Sequence, residues 1–301
     1  MTKTSAPRIL IYAAFLIIVV IGGSNAVAVR FSNVELPPFW GAALRFGAAA
    51  VLFWAAVLLK RIAVPRGKEL AGAVVLGVFG FGVAYAFLYW ALLFVQASLV
   101  MVILSLGPLL TFFFAVLHRQ EAFRWQGLLG ALTAFAGIFV GVGGEIGDSL
   151  ALIPLLAILG AAASIAEGTV LYKSFPRGHP IAVNAISLTV GALILLLISL
   201  AAGEVRYLPT LSQTWLAFGY LVLAGSGILF YLYLYLLEYW TASAASYTFL
   251  LFPVATIIIA AWLANEVITG RFLLGSAIVL VGVWLGALKQ PKTIEPQPIQ
   301  G

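Results

Sequence analysis

Apolar residues run along this chain in blocks of about 20, each closed by a short polar or turn-forming segment. A helix of that length crosses roughly 30 Å of hydrocarbon. The blocks predict helices over 9–30, 38–59, 70–94, 97–117, 124–143, 150–171, 180–202, 212–237, 242–263 and 270–288. Turn formers fall between them: Pro37-Pro38, Pro65-Arg66-Gly67, Gly143-Gly144, Pro176-Arg177-Gly178 and Pro209. Trp40, Trp90, Trp125, Trp215 and Trp262 lie near predicted helix ends, where an amphipathic ring prefers the membrane interface. The chain therefore reads as an all-α integral membrane protein with ten transmembrane helices. Residues 291–301, rich in Pro and Gln, read as a disordered tail.

Composition agrees. Of 301 residues, 63% are hydrophobic and 9% charged, against roughly 25% charged in soluble domains. With no cysteine and two histidines, His118 and His179, no thiol chemistry and no multi-histidine metal site is expected, and no cofactor. The net charge of +6 has an uneven placement. With the N-terminus in the cytoplasm, cytoplasmic segments hold 12 of 16 basic residues and the other side Arg30, Arg206 and Arg271, while Arg45 lies within a span. That bias predicts both termini inside and argues against a nucleic-acid surface. Lys3, Arg8 and the apolar run to Ala26-Val27-Ala28 have the form of a signal peptide. The internal repeat needs that segment as its first helix.

The repeat emerges when the chain is shifted by 145 positions. Gly82 then falls on Gly227, Ala97 on Ala242, Ser98 on Ser243, Pro108 on Pro253, Thr111 on Thr256 and Glu121 on Glu266, with Gly130, Gly137 and Gly141 on Gly275, Gly282 and Gly286. Residues 1–146 and 147–290 thus read as two five-helix repeats. Five is odd, so the second copy is inverted, as in many secondary transporters, with a site expected between the halves.

The segments SLGPLLTFFFAVLHRQEAFRWQGLLGALTAFAG and LLFPVATIIIAAWLANEVITGRFLLGSAIVLVG share a proline, a terminal glutamate and a following glycine pattern. In this they resemble the EamA branch of the drug/metabolite transporter superfamily, as does Leu44-Arg45-Phe46. The chain departs in carrying Gln120 and Asn265 where a small residue usually precedes the glutamate, which implies a different turn there. It is most similar to the bacterial amino-acid exporters of the aromatic amino-acid/paraquat type. The resemblance implies export of amino acids with broad specificity across a bacterial inner membrane by alternating access. The expected partners are that solute and the lipid bilayer, without an ATPase subunit, for a monomer or weak dimer. Other small metabolites or cationic drugs form the alternative cargo. An embedded enzyme or a channel is disfavoured, because H-E-x-x-H, G-x-S-x-G, Walker-type loops and charged rings are all missing.

Charges inside spans usually face a cavity or a partner. Arg45, about level with Asn25 and Ser98, and Glu167, about level with Asn184, are expected near opposite mouths; snorkelling is the alternative. Aromatics cluster in the symmetry-related third and eighth helices, as Phe81, Tyr85, Tyr89 and Trp90 and as Phe230, Tyr231, Tyr233 and Tyr235. Tyrosine hydroxyls in a bilayer need partners or water, so some should face the cavity, with Phe81, Tyr85, Tyr89, Tyr231 and Tyr235 nominated for the lining and an interfacial belt as the alternative. Ser105, Ser164, Ser246 and Tyr247 are expected to complete the lining. Gly107, Pro108 and Pro253 are candidate hinges, because a proline removes a backbone bond; a static kink is the alternative. The glycines at 127, 130, 137 and 141, and the stripe Ala73, Gly77, Gly80 and Ala84, are read as helix-packing surfaces. Glu121 and Glu266 are expected to hold backbone donors at the start of the next helix.

Overall fold

A computed structural model describes residues 8–142 and 152–287, and the regular structure among them is helical. The expected tail lies outside these residues. Ten helical rods follow in order: α1 (Arg8–Asn33), α2 (Pro38–Leu59), α3 (Lys68–Ala91), α4 (Ala97–Leu117), α5 (Trp125–Val142), α6 (Leu152–Lys173), α7 (Pro180–Ala201), α8 (Ser212–Tyr239), α9 (242–263) and α10 (Gly270–Ala287). Seven are long and apolar enough to cross a membrane, while α5, α9 and α10 are apolar but shorter. Pro38 and Pro180 open α2 and α7 at the first turn, where a missing N–H costs nothing.

The packing obeys an exchange of halves. Helix α2 packs on α7, and α5 on α10, so each pair maps onto itself when five is added to its labels. The α1–α9 contact is mirrored by α6–α4, and α1–α8 by α6–α3. This is the two-repeat inverted architecture. Its tightest crossing joins α5 and α10: a Cβ on Gly275 would lie 2.4 Å from Gly141 Cα, and one on Gly137 2.6 Å from Val279 N. Only glycine lets the backbones approach this far, as expected where hydrophobicity cannot drive association in lipid.

Three rods depart from regular α geometry. In α3 the stretch Gly77–Val83 is π-helical, and in α8 so is Leu223–Ile228. The two coincide at the 145-residue shift. Helix α4 is interrupted after Leu104 and resumes at Gly107, with Pro108 in the first turn of the second piece. Helix α9 is interrupted at Ser246, and Pro253 lies within the continuous piece Tyr247–Leu263. The interruptions therefore do not share one repeat position, and the one in α9 is not at its proline.

The turns after α4 and α9 also differ by one repeat position. Arg119 takes φ 58° in the first and Asn265 φ 50° in the second.

Candidate functional site

The halves line a cavity of about 90 Å³. Its wall is mostly apolar and draws on α1, α3, α4, α6, α8 and α9, with Arg45 from α2 and Asn184 from α7. Aromatic rings form a continuous girdle. Phe46 meets Tyr85 edge-on at 4.7 Å between centroids, and Phe81 meets Phe230 at 4.6 Å. Tyr85 and Phe230 occupy equivalent positions of the two repeats.

Arg45 is fully buried against this girdle. Its Cζ lies 5.3 Å from the Phe46 centroid, 5.4 Å from that of Tyr85 and 5.9 Å from that of Phe230. Its Nε donates to Ser226 Oγ at 2.8 Å, one Nη to the Gly225 carbonyl at 2.8 Å and the other to Tyr89 Oη at 3.3 Å. Gly225 and Ser226 belong to the π-helical stretch of α8, and such stretches recur at functional sites. Among the described residues no carboxylate lies within salt-bridge range of Arg45. A guanidinium has five N–H donors, so two are left without a partner. Burying a cation without an anion costs several kcal/mol; ring faces return about 0.5–2 kcal/mol each.

Asn25 reaches the same spot from α1. Its Nδ2 donates to the Gly225 carbonyl at 3.4 Å, which leaves Oδ1 buried and without a partner. A Cβ on Gly225 would fall 2.2 Å from that Oδ1 and 3.1 Å from an Arg45 Nη. Glycine here lets a cationic donor and an unfilled acceptor sit side by side.

Six of the sequence-nominated residues line the cavity: Asn25, Arg45, Phe81, Tyr85, Tyr89 and Asn184. The others lie elsewhere. Ser98 is capped by Glu266, Ser105 Oγ returns to the Val102 carbonyl, and Ser164 Oγ bonds the Phe79 carbonyl in the π-helical stretch of α3. Ser246 is buried in the break of α9, outside the lining. Tyr231 is exposed on the flank of the bundle, and Tyr235 packs on Tyr239. The cavity face of α8 carries Leu229, Phe230, Tyr233 and Leu234, a helical spacing that excludes positions 231 and 235. The side chain of Tyr247 lies outside the described residues. The hinge candidates Gly107, Pro108 and Pro253 lie off the lining. Phe230, Tyr233, Thr169, Phe249 and Phe252 are among the other residues of the wall. Phe230 was reachable from Tyr85 through the repeat; Thr169 carried no such signal.

Polar ties hold both ends of the bundle. On the side where α1 begins, His118 Nε2 lies 2.7 Å from Glu167 Oε1, and Lys173 Nζ donates to the carbonyls of Leu237 and Trp240 at 2.6 and 2.7 Å. Glu167 is thus part of a tie between α4 and α6 rather than the lining. On the opposite side Glu266 accepts from Ala97 N at 2.9 Å, Ser98 N at 3.2 Å and Ser98 Oγ at 2.6 Å, and pairs with Arg30 at 2.5 Å. Glu266 does hold backbone donors at a helix start, but the helix is α4 of the other repeat, not the one that follows it. Glu35, between α1 and α2, accepts from Thr210 Oγ1 at 2.5 Å, Thr210 N at 2.6 Å and Leu211 N at 3.2 Å. The Thr210 hydroxyl, with the backbone donors of Thr210 and Leu211 and against partial desolvation, holds its carboxyl at about 2.

The EamA-like transporter family matches this sequence twice, over residues 9–142 and 152–287. The chain belongs to that family. Its relatives include an uncharacterized transporter of Archaeoglobus fulgidus, 28% identical over 89% of this chain and 95% of that one. The uncharacterized inner membrane transporter YedA of Escherichia coli (strain K12) is 28% identical over 92% and 90%. A probable amino-acid metabolite efflux pump of the same organism is 26% identical over 90% and 92%. A crystal structure superimposes with a TM-score of 0.66 over 92% of this chain and 98% of its own at 21% identity, a likeness of fold. The protein is therefore a multi-span membrane transporter of the EamA-like family.

Proposed function

We propose that this transporter exports amino acids, aromatic ones included, across the inner membrane by alternating access, with both termini in the cytoplasm. It works without a cofactor or an ATPase subunit and is not an enzyme. The observation that carries this reading is the buried Arg45, with two unused N–H groups, beside the unfilled Asn25 Oδ1 in an aromatic cavity. A carboxylate seats on the first and an ammonium on the second, which is the head group every free amino acid shares. The apolar wall then meets the side chain, and such walls discriminate by only about 1–3 kcal/mol per methylene. Broad selectivity follows. The relative described as a probable amino-acid metabolite efflux pump supports the same class. A buried cation without an anion disfavours the alternative cargo of organic cations.

Liposomes containing the purified protein and preloaded with unlabelled leucine should accumulate labelled phenylalanine by counterflow, and methyl viologen should not compete. The variant Arg45→Met should lose at least tenfold in rate, about 1.4 kcal/mol in barrier, and Arg45→Lys should not restore it, because an ammonium lacks the fork. Equal counterflow in wild type and Arg45→Met, or competition by methyl viologen, would sink the proposal.

A further inference from the structure

The cavity has a second polar pole, far from Arg45. Asn184 is fully buried on α7 and lines the cavity, and neither its Oδ1 nor its Nδ2 has a hydrogen-bond partner. Tyr233 lines the same cavity, and its hydroxyl approaches Thr169 without a hydrogen bond of good geometry. Thr169 lies four residues before the end of α6 and Asn184 four after the start of α7, so both unmet groups sit toward one end of the cavity. Buried polar groups are almost always paired, and this calls for an explanation.

The distance between the poles follows from helix register. Trp54 Nε1 on α2 donates to Thr189 Oγ1 on α7 at 3.0 Å, which sets those residues level on antiparallel rods. Arg45 lies nine residues from Trp54 toward one side of the bundle, and Asn184 five residues from Thr189 toward the other. At 1.5 Å per residue the two backbone positions are about 20 Å apart along the axis. The α3 contacts agree: Ser187 Oγ bonds the Ala73 carbonyl, whereas Arg45 reaches Tyr89. One amino acid, about 3.5 Å along its backbone, cannot touch both poles.

We infer that Asn184 and Tyr233 form a second solute station at the end of the cavity nearer the start of α1, occupied before or after the Arg45 station. The inference rests on the amino-acid reading above. An amide offers donors to a carboxylate and an acceptor to an ammonium while carrying no charge, and the phenol adds one more donor or acceptor. A zwitterion is held there by neutral hydrogen bonds alone, more loosely than at the guanidinium, as a loading position requires.

The test is sided. Labelled phenylalanine is presented to oriented vesicles from the side of the chain termini or from the opposite side, and half-saturation is measured at each. Asn184→Leu, which keeps the shape and removes both polar atoms, should raise half-saturation at least fivefold on the terminal side and less than twofold on the other. Tyr233→Phe, which removes one oxygen and guards against a folding artefact, should shift in the same direction by a smaller factor. Arg45→Met should impair both sides. Unchanged half-saturation in both station variants, or an equal rise on the two sides, overturns the station while leaving the Arg45 reading intact. A wild-type protein that moves no phenylalanine overturns the substrate reading, and the station with it.

Discussion

Glu266 concentrates more structural work than any other residue on its side of the bundle. One carboxylate holds two backbone donors and a hydroxyl of α4 together with Arg30 of α1. Replacing it with alanine leaves the start of α4 uncapped, which costs about 1–2 kcal/mol and shows as a lower melting temperature in detergent. Glutamine keeps two acceptors' worth of geometry at one oxygen only and should fall between. Glu35 gives a pH signature. Its folded value of about 2 lies below the ordinary glutamate value of 4.5, so its contribution is complete above about pH 4.5 and fades as pH falls toward 2. Melting curves of wild type and Glu35→Gln should differ at neutral pH and converge in acid. Neither role was legible in the sequence beyond its kind. Helix-end glutamates announce capping, but nothing in the local spacing says that the capped helix lies in the other repeat, because that pairing is made by tertiary packing.

At the scale of the elements, the repeat exposed the architecture while single residues located only one of the irregularities. The prolines marked α4 and α9 as special: the break in α4 falls at Ser105-Leu106, just before Pro108, whereas the one in α9 falls at Ser246, away from Pro253. The π-helical stretches of α3 and α8 went unread, since glycine-rich apolar sequence gives no periodic signal for a wide turn. Counting in steps of three and four from Phe230 would have excluded Tyr231 and Tyr235 and recovered Tyr233. The glycine stripe of α5, by contrast, was readable in advance because close approach has one compositional solution. Gly275→Ala should lower stability by about 1–3 kcal/mol, since the new methyl meets Gly141 Cα at 2.4 Å. A detergent melt compared with Gly219→Ala, whose Cβ meets nothing within 4 Å, separates the clash from a general effect of the substitution.

For the whole molecule, the sidedness predicted by basic residues is open to a direct check. The chain contains no cysteine, so single cysteines at Glu35 and Arg177 should react with an impermeant reagent from outside and inside respectively; the reverse pattern would overturn the orientation. Sidedness also gives the buried guanidinium an electrical meaning. A charge with no counter-ion among the described residues experiences the transmembrane field, worth about 2.3 kcal/mol per elementary charge per 100 mV if the full field is crossed. Under the alternating access proposed above, the bath that charge sees changes, so the switch itself would carry a fraction of a gating charge. A zwitterion leaves it unaltered and a monoanion cancels it. In exchange, where only the loaded carrier reorients, the rate for neutral amino acids should therefore respond to an imposed potassium diffusion potential, and the rate for a solute with net charge −1 should respond much less.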